Sequence, residues 1–270
     1  ALNLAPNSFF ASGELNPNIT PEAIEQLKSI YGLDKPLYIQ FFSWIYSILQ
    51  LDFGISFTSG EKVKEEILSR IPITLTINIV SMILIFIISL YFGIKSAMKK
   101  NSIFDRFTNQ LSLLSFSMPS FYLALVLVLV FSIKFELFPI AGLHSVPNDG
   151  SLNYYLDFAW HLTLPIFIIV FGGIGSLILY IRALTIEILK SDYIFFARAR
   201  GLDNKKILRY YILPNLYPPV ITLLGLSLPG VIGGSVILET IFSIDGMGLL
   251  FYQSALSHDY PVIMGILIIG

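Results

Sequence analysis

The sequence predicts an all-α, polytopic membrane protein, and three observations carry the prediction. Four stretches, 71–94, 107–133, 158–181 and 210–238, contain no Asp, Glu, Lys or Arg, and a spanning helix needs about 20 mostly apolar residues. Charged residues make up 13% of the chain against 55% hydrophobic, with a mean hydropathy of +0.75; a soluble domain carries about 25%. Basic residues are concentrated in alternate connections between the stretches. Buried helices of a soluble protein would need a very large core around four such runs. A further apolar run starts at Tyr260 and reaches Gly270. The expectation is four full spans and the start of a fifth.

Orientation follows from the basic residues. Lys95, Lys99, Lys100 and Arg106 follow the first stretch, and Arg182, Lys190, Arg198, Arg200, Lys205, Lys206 and Arg209 follow the third. The other two connections hold Lys134 alone, beside Glu136, Asp149, Asp157, Glu239, Asp245 and Asp259. An excess of Lys and Arg marks cytoplasmic loops, so the first span runs inward. Residues 1–72 are then an extracytoplasmic segment, and 73–270 a transmembrane unit with a cytoplasmic loop at 183–213.

Within 1–72, Thr20-Pro21 starts a helix and Gly32 stops it. Pro36 opens a second helix through Leu49, and Tyr38, Trp44 and Tyr46 suit a membrane interface. Residues 61–71 read as a surface helix ending before Pro72 and the first span. Residues 1–13 lack the basic-then-apolar pattern of a signal peptide. An extracytoplasmic start therefore implies a preceding span or a fragment, and the truncated fifth span agrees.

Several classes are disfavoured. The net charge of −1 says nothing by itself about nucleic acid; the distribution of the charges matters more, and no nucleic-acid partner is expected. Without cysteine, disulfide frameworks and thiolate metal sites are excluded. No ionisable Asp, Glu, Lys or Arg lies within a full span, where each costs about 2.5–3.5 kcal/mol and usually marks a proton or ion relay. This argues against a self-powered carrier. His161, near the outer end of the third span, reads as a structural hydrogen-bonder; with His144 and His258 it lacks metal-ligand spacing. Asp149 and Asp157 read as solvated loop charges. No Gly-x-x-x-x-Gly-Lys-[Ser/Thr] loop occurs, so ATP would have to be handled by another subunit. A channel or uniporter, passing solute without any ATPase, is the alternative, and an intramembrane enzyme lacks a site.

The most informative loop is the second basic one. Residues 190–200 are helix-compatible, Gly201 is placed as a C-cap, Asp203 caps a second helix through Tyr211, and Pro214 marks entry to the fourth span. This predicts a helical hairpin whose small residues, Ala197 and Ala199, permit close docking. A plain basic loop set by the positive-inside rule is the equal alternative on physical grounds.

At ARARGL (197–202), with Leu213-Pro214 following Gly201 at the right distance, the chain resembles ABC importer permeases at their coupling loop; Tyr211 stands where that signature has Ile. Glu239-Thr240-Ile241-Phe242-Ser243, Gly246-Met247-Gly248 and Asp259-Tyr260-Pro261 are similar to the peptide/nickel branch, with Asp245 where Pro is common. TPEAIEQLKSIYGLDKPLYIQFFSWI, RIPITLTINI, DRFTNQLSLLSFSMPSFYLAL and WHLTLPIF extend the resemblance over almost the whole chain.

The resemblance implies the ABC importer transmembrane-domain fold, with six spans, of which the first and last are incomplete here. It implies a non-catalytic permease. Ala197, Arg198, Ala199, Arg200, Gly201 and Leu202, with Pro214, would couple to an ATPase. Glu239, Gly246 and Gly248 would shape an external gate. Pro229, Gly230 and Gly234 suit either a path-lining helix or close packing, and Gly172, Gly173 and Gly175 suit packing. Implied partners are two ATPase subunits holding ATP and Mg, a second permease in a heterodimer, an extracytoplasmic solute-binding protein and the bilayer. The family takes up oligopeptides, dipeptides, glutathione-like peptides and nickel chelates. A peptide is favoured here, with a nickel complex as the alternative.

Overall fold

A computed structural model describes residues 36–50 and 52–270. The expected helix from Thr20-Pro21 to Gly32 lies outside them. The described residues contain helices and no strand, apart from one isolated antiparallel bridge, Ile55 to Lys62. Helix α1, Leu37–Leu49, starts after Pro36 as the sequence predicts, and leaves Tyr38, Phe42 and Tyr46 exposed.

Helix α2 is Val63–Met98, 36 residues. The expected surface helix over 61–71 does not exist as a separate element: Pro72 lies inside α2, and the expected division at 72 falls mid-helix. The charges ending at Arg70 therefore mark a change of solvent, not the end of a helix. A membrane helix can carry an internal proline; the carbonyl that Pro72 leaves without its N–H partner is that of Leu68, and one turn on Thr76 Oγ1 donates to the Pro72 carbonyl at 2.8 Å.

The stretch 107–133 is not one straight span. Helix α3, Ile103–Ser117, ends at Met118, which is extended (φ −86°, ψ 122°), and α4 starts after Pro119 as Ser120–Leu127, continuing as a π-helical turn, Val128–Lys134. The two parts meet at 99°. A residue before proline is steered out of the helical region, which places the bend at Met118.

Helix α5, Leu152–Leu189, has 38 residues and runs well past the expected end at Arg182. It is the central element, packing against α2, α3 and α4. Two glycines allow close approach: a Cβ on Gly173 would lie 2.5 Å from the Ile85 side chain at Cδ1, and one on Gly175 would lie 2.5 Å from the Ser112 carbonyl oxygen of the α3 backbone. These are the packing glycines the sequence suggested; Gly172 faces open space. On α2, a Cβ at Gly93 would lie 2.8 Å from Ile181 Cγ2.

Two short helices follow, α6 (Asp192–Ala199) and α7 (Asn204–Ile207). The chain then passes through a π turn, Leu208–Ile212, into α8 (Leu213–Ser227), α9 (Pro229–Gly233) and α10 (Val236–Ile241). Asn204–Ile241 is together long and apolar enough to cross a membrane. The second arm of the hairpin therefore does not stop at Tyr211 but runs on into the span. Pro214 lies inside this helical path. Proline brings no N–H and crowds the carbonyl a turn before it, here that of Tyr210; the π turn directly precedes Leu213, and Asn215 Nδ2 donates to the neighbouring Tyr211 carbonyl at 2.6 Å. Helices α11 (Met247–Leu256) and α12 (Tyr260–Ile269) complete the chain.

Candidate functional site

The hairpin at the basic end is built by local chemistry. Arg200 ends α6, and Gly201 follows at φ +80°, a left-handed conformation that glycine adopts without a Cβ penalty. Leu202 N–H donates to the Ala197 carbonyl (3.1 Å) and Gly201 N–H to that of Arg198 (2.8 Å), the paired bonds of a Schellman ending. Asp203 then caps α7, its carboxylate accepting from Lys206 N–H at 2.9 Å. Leu202 turns inward onto a core of Ile94, Ile181, Ile194, Ile207 and Ile212.

Ala197 is only 2% exposed, so its small side chain seats α6 against its own chain. The outward face consists of Phe195 and Phe196, 69% and 63% exposed, with Arg198, Ala199 and Arg200. Of the expected docking pair, Ala199 is therefore at the surface and Ala197 is not. Sequence reasoning missed the two phenylalanines.

Behind the hairpin lies a charge cluster that sequence reasoning also missed. Asp105 at the start of α3 accepts from Arg182 Nε (2.7 Å) and Nη2 (2.9 Å) of α5, from Asn101 N–H (2.8 Å), from Asn109 Nδ2 (3.0 Å), and from Ser96 Oγ of α2. Asp105 is 3% exposed. The signal was present: it is the lone acid in the otherwise basic stretch 95–106.

At the opposite end, Glu239 of α10 is buried. Its Oε2 accepts from Gly248 N–H (2.7 Å) and Leu249 N–H (3.1 Å) in the first turn of α11, and its Oε1 accepts from Thr74 Oγ1 of α2 (3.2 Å). Thr74 Oγ1 in turn accepts from Met247 N–H at 2.9 Å. Gly234 and Gly246 lie directly against this carboxylate, and Gly248 donates to it. A Cβ on Gly234 would lie 2.6 Å from Oε1, one on Gly246 2.5 Å from Oε2, and one on Gly248 2.7 Å from Val236 N. Gly234 also has φ +68° and breaks the helix before α10. Gly230 is different: a Cβ there meets nothing within 4 Å. Gly230 and Gly234 thus do not form one packing pair within this chain. Pro229 opens α9, and Gly230 borders an open cavity of about 550 Å³ between α2, α5 and α8. The cavity is mostly apolar, with Asn78, Ser176, Tyr180 and Ser227 as its polar lining. Asn78 Nδ2 is committed to the Val231 carbonyl at 2.8 Å.

His161 behaves as expected, bonded through Nδ1 to the Asp157 carbonyl (2.8 Å) and through Nε2 to Ser145 Oγ (3.2 Å). Asp157 does not behave as a solvated loop charge. It lies in α5, accepts from Ser145 N–H at 2.7 Å, and stands beside both His144 and His161. Asp149 is a local loop cap for Ser151.

The family profile described as "Binding-protein-dependent transport system inner membrane component" matches residues 86–270, and its companion, "Binding-prot-dependent transport system membrane comp, N-term", matches residues 7–78. The chain belongs to this family. It is a permease of the ABC importer class and a multi-pass protein of the inner membrane, and membership implies ATPase and binding-protein partners. The permease is 37% identical to the oligopeptide transport system permease protein AppB of Bacillus subtilis (strain 168) over 95% of its own length and 80% of that relative. It is 34% identical to the dipeptide transport system permease protein DppB of Lactococcus lactis subsp. cremoris (strain MG1363), over 94% of this chain and 80% of that one. The metal-staphylopine import system permease protein CntB of Staphylococcus aureus (strain Mu50 / ATCC 700699) is 30% identical, over 94% and 77%. Among solved structures, an inward-facing form of the MetNI methionine ABC transporter superposes with a TM-score of 0.55 at 17% identity, covering 75% of the permease and 89% of that chain. That likeness concerns the fold.

Proposed function

We propose that this permease forms one side of the translocation path of an ATP-driven importer for oligopeptides or dipeptides, and that the α6–α7 hairpin receives the motion of an ATPase subunit. The observation that carries the coupling role is the hairpin itself. Its interior is fixed by Ala197, Leu202 and the Gly201 turn, while Phe195, Phe196, Arg198, Ala199 and Arg200 face outward at the basic end. Exposed aromatics ringed by arginine suit a protein groove with acidic or carbonyl acceptors. Pro214 acts within the arm that continues into the span. ATP and Mg belong to the partner subunits, and the second permease is a different chain. The cavity beside Pro229 and Gly230 is the permease's share of the path.

The names of the oligopeptide and dipeptide relatives support a peptide solute. The metal-staphylopine relative supports a second reading, in which the same machinery moves a chelated metal such as nickel. Reconstitution in vesicles with the two ATPases, the second permease and the binding protein decides between them. ATP-dependent uptake of labelled peptides is expected; uptake of a nickel chelate alone would select the second reading. Flux through the permeases without any ATPase would overturn both in favour of a channel. Ala199→Glu places a new charge on the outward face and is expected to reduce ATPase co-purification and uptake about tenfold or more, the equivalent of losing one hot-spot contact. Survival of both would sink the coupling assignment.

A further inference from the structure

Among the described residues Glu239 makes no ion pair, yet it is 4% exposed and accepts three hydrogen bonds from neutral donors. Its position gives these bonds a mechanical meaning. The path Asn204–Ile241 begins in the hairpin at the basic end and carries Glu239 in its last turn. Gly234, at φ +68°, interrupts it just before α10, whose Leu238 and Ile241 pack into the core beside α4. The carboxylate adds a polar link to that packing. It caps the first turn of α11, where a negative group meets unpaired N–H donors and the positive end of the helix. Through Thr74 it reaches α2, and Thr74 fixes Met247 in the same turn. The glycines at 234 and 246 leave room for the carboxylate and for nothing larger than hydrogen at their own Cβ positions.

We propose that Glu239 is a positioning residue for transport: its carboxylate ties α10, the turn 242–246 and α11 to α2, so that the outer closure of the path moves as one body when α7–α10 is driven from the hairpin. The inference rests on the permease reading given above. Glu239→Leu keeps a side chain of similar size and removes the acceptors for Gly248 N–H, Leu249 N–H and Thr74 Oγ1, whereas Glu239→Gln keeps the link, because Thr74 Oγ1 has two lone pairs and accepts from both Met247 N–H and the amide NH2. Thr74→Val removes the same link from the other side.

The chain has no cysteine, so single reporters have no background from it. Ile244, 1% exposed in the turn, becomes Cys as the test reporter; Ser132, 4% exposed in the turn after α4, becomes Cys as the control. The assembled transporter in vesicles is treated from outside with a membrane-impermeant maleimide. In Glu239→Leu and in Thr74→Val, labelling at Ile244→Cys is expected to rise about tenfold while labelling at Ser132→Cys stays unchanged. The double variant should go no further than the larger single effect. Uptake per ATP hydrolysed should fall in the same variants without the reporter cysteines. Unchanged labelling at Ile244→Cys overturns the proposal. An equal rise at both reporters also overturns it, because Glu239 would then only stabilise the fold. Additive single effects would break the link between the two groups. Labelling needs no solute, so its outcome stands apart from the uptake assay on the unmodified transporter.

Discussion

At the scale of single residues, Asp105 carries the densest set of contacts at the basic end. Its carboxylate joins α2, α3 and α5 through Ser96 and Arg182. Removing one member of a buried pair leaves the other uncompensated and costs about 3–5 kcal/mol. Arg182 keeps a fifth of its side chain exposed, so solvent offsets part of that loss, and about 3 kcal/mol is expected for Asp105→Asn. Thermal unfolding in detergent should fall by about 5–10 °C. The combination with Arg182→Met should cost clearly less than the sum of the two single changes, since both remove one interaction. Additive losses would show that the pair is not the source of the stability.

Elements raise a different question, which is how close two helices stand. Gly175 of α5 touches the backbone of α3, and a Cβ there would meet Ser112 O at 2.5 Å, Ser115 Oγ at 2.8 Å and Phe116 N at 3.0 Å. Backbone atoms cannot turn aside, so Gly175→Ala should destabilise by about 1–3 kcal/mol. Gly172, three residues away, faces open space. Gly172→Ala should be neutral or gain up to about 1 kcal/mol from helix propensity. Thermal scans of the two variants side by side check the contrast.

The helices themselves were legible in the sequence to an uneven degree. Charge-free runs located the apolar parts of α2, α5 and the 204–241 path, because hydrocarbon excludes charge over a known length. They did not locate the helix ends, because charge marks the edge of the bilayer and a helix continues past it. Hence 61–71 was expected as a separate helix and 183–189 as loop, whereas α2 and α5 run through both. The bend at Met118 was hidden for a related reason: apolar composition carries no direction, and Pro119 alone hinted at it. The hairpin turn was legible because its determinants, Gly201 and Asp203, act over a few residues. The Glu239 node was not, since Thr74 lies 165 residues from Glu239 and 173 from Met247; only the packed fold brings them together.

For the whole molecule, the distribution of Lys and Arg sets which end faces the cytoplasm. The hairpin, the Asp105 cluster and most of the basic residues share one end, while Glu239, Asp157 and Asp259 share the other. A cysteine at Asn148 should react with an impermeant maleimide on intact cells, and one at Lys205 only after permeabilisation. The reverse pattern would invert the orientation and place the hairpin out of reach of any ATPase.

The length of α5 has a further consequence. At 1.5 Å per residue its 38 residues make a rod of about 57 Å, longer than the 40–45 Å of a bilayer with its headgroups. Gly173 and Gly175 fall near its middle, with Asp157 and His161 toward one end and Arg182 toward the other. Its buried residues run from His161 to Thr185, so neighbours grip the rod along most of its length, and one helix carries contacts from one face of the bilayer to the other.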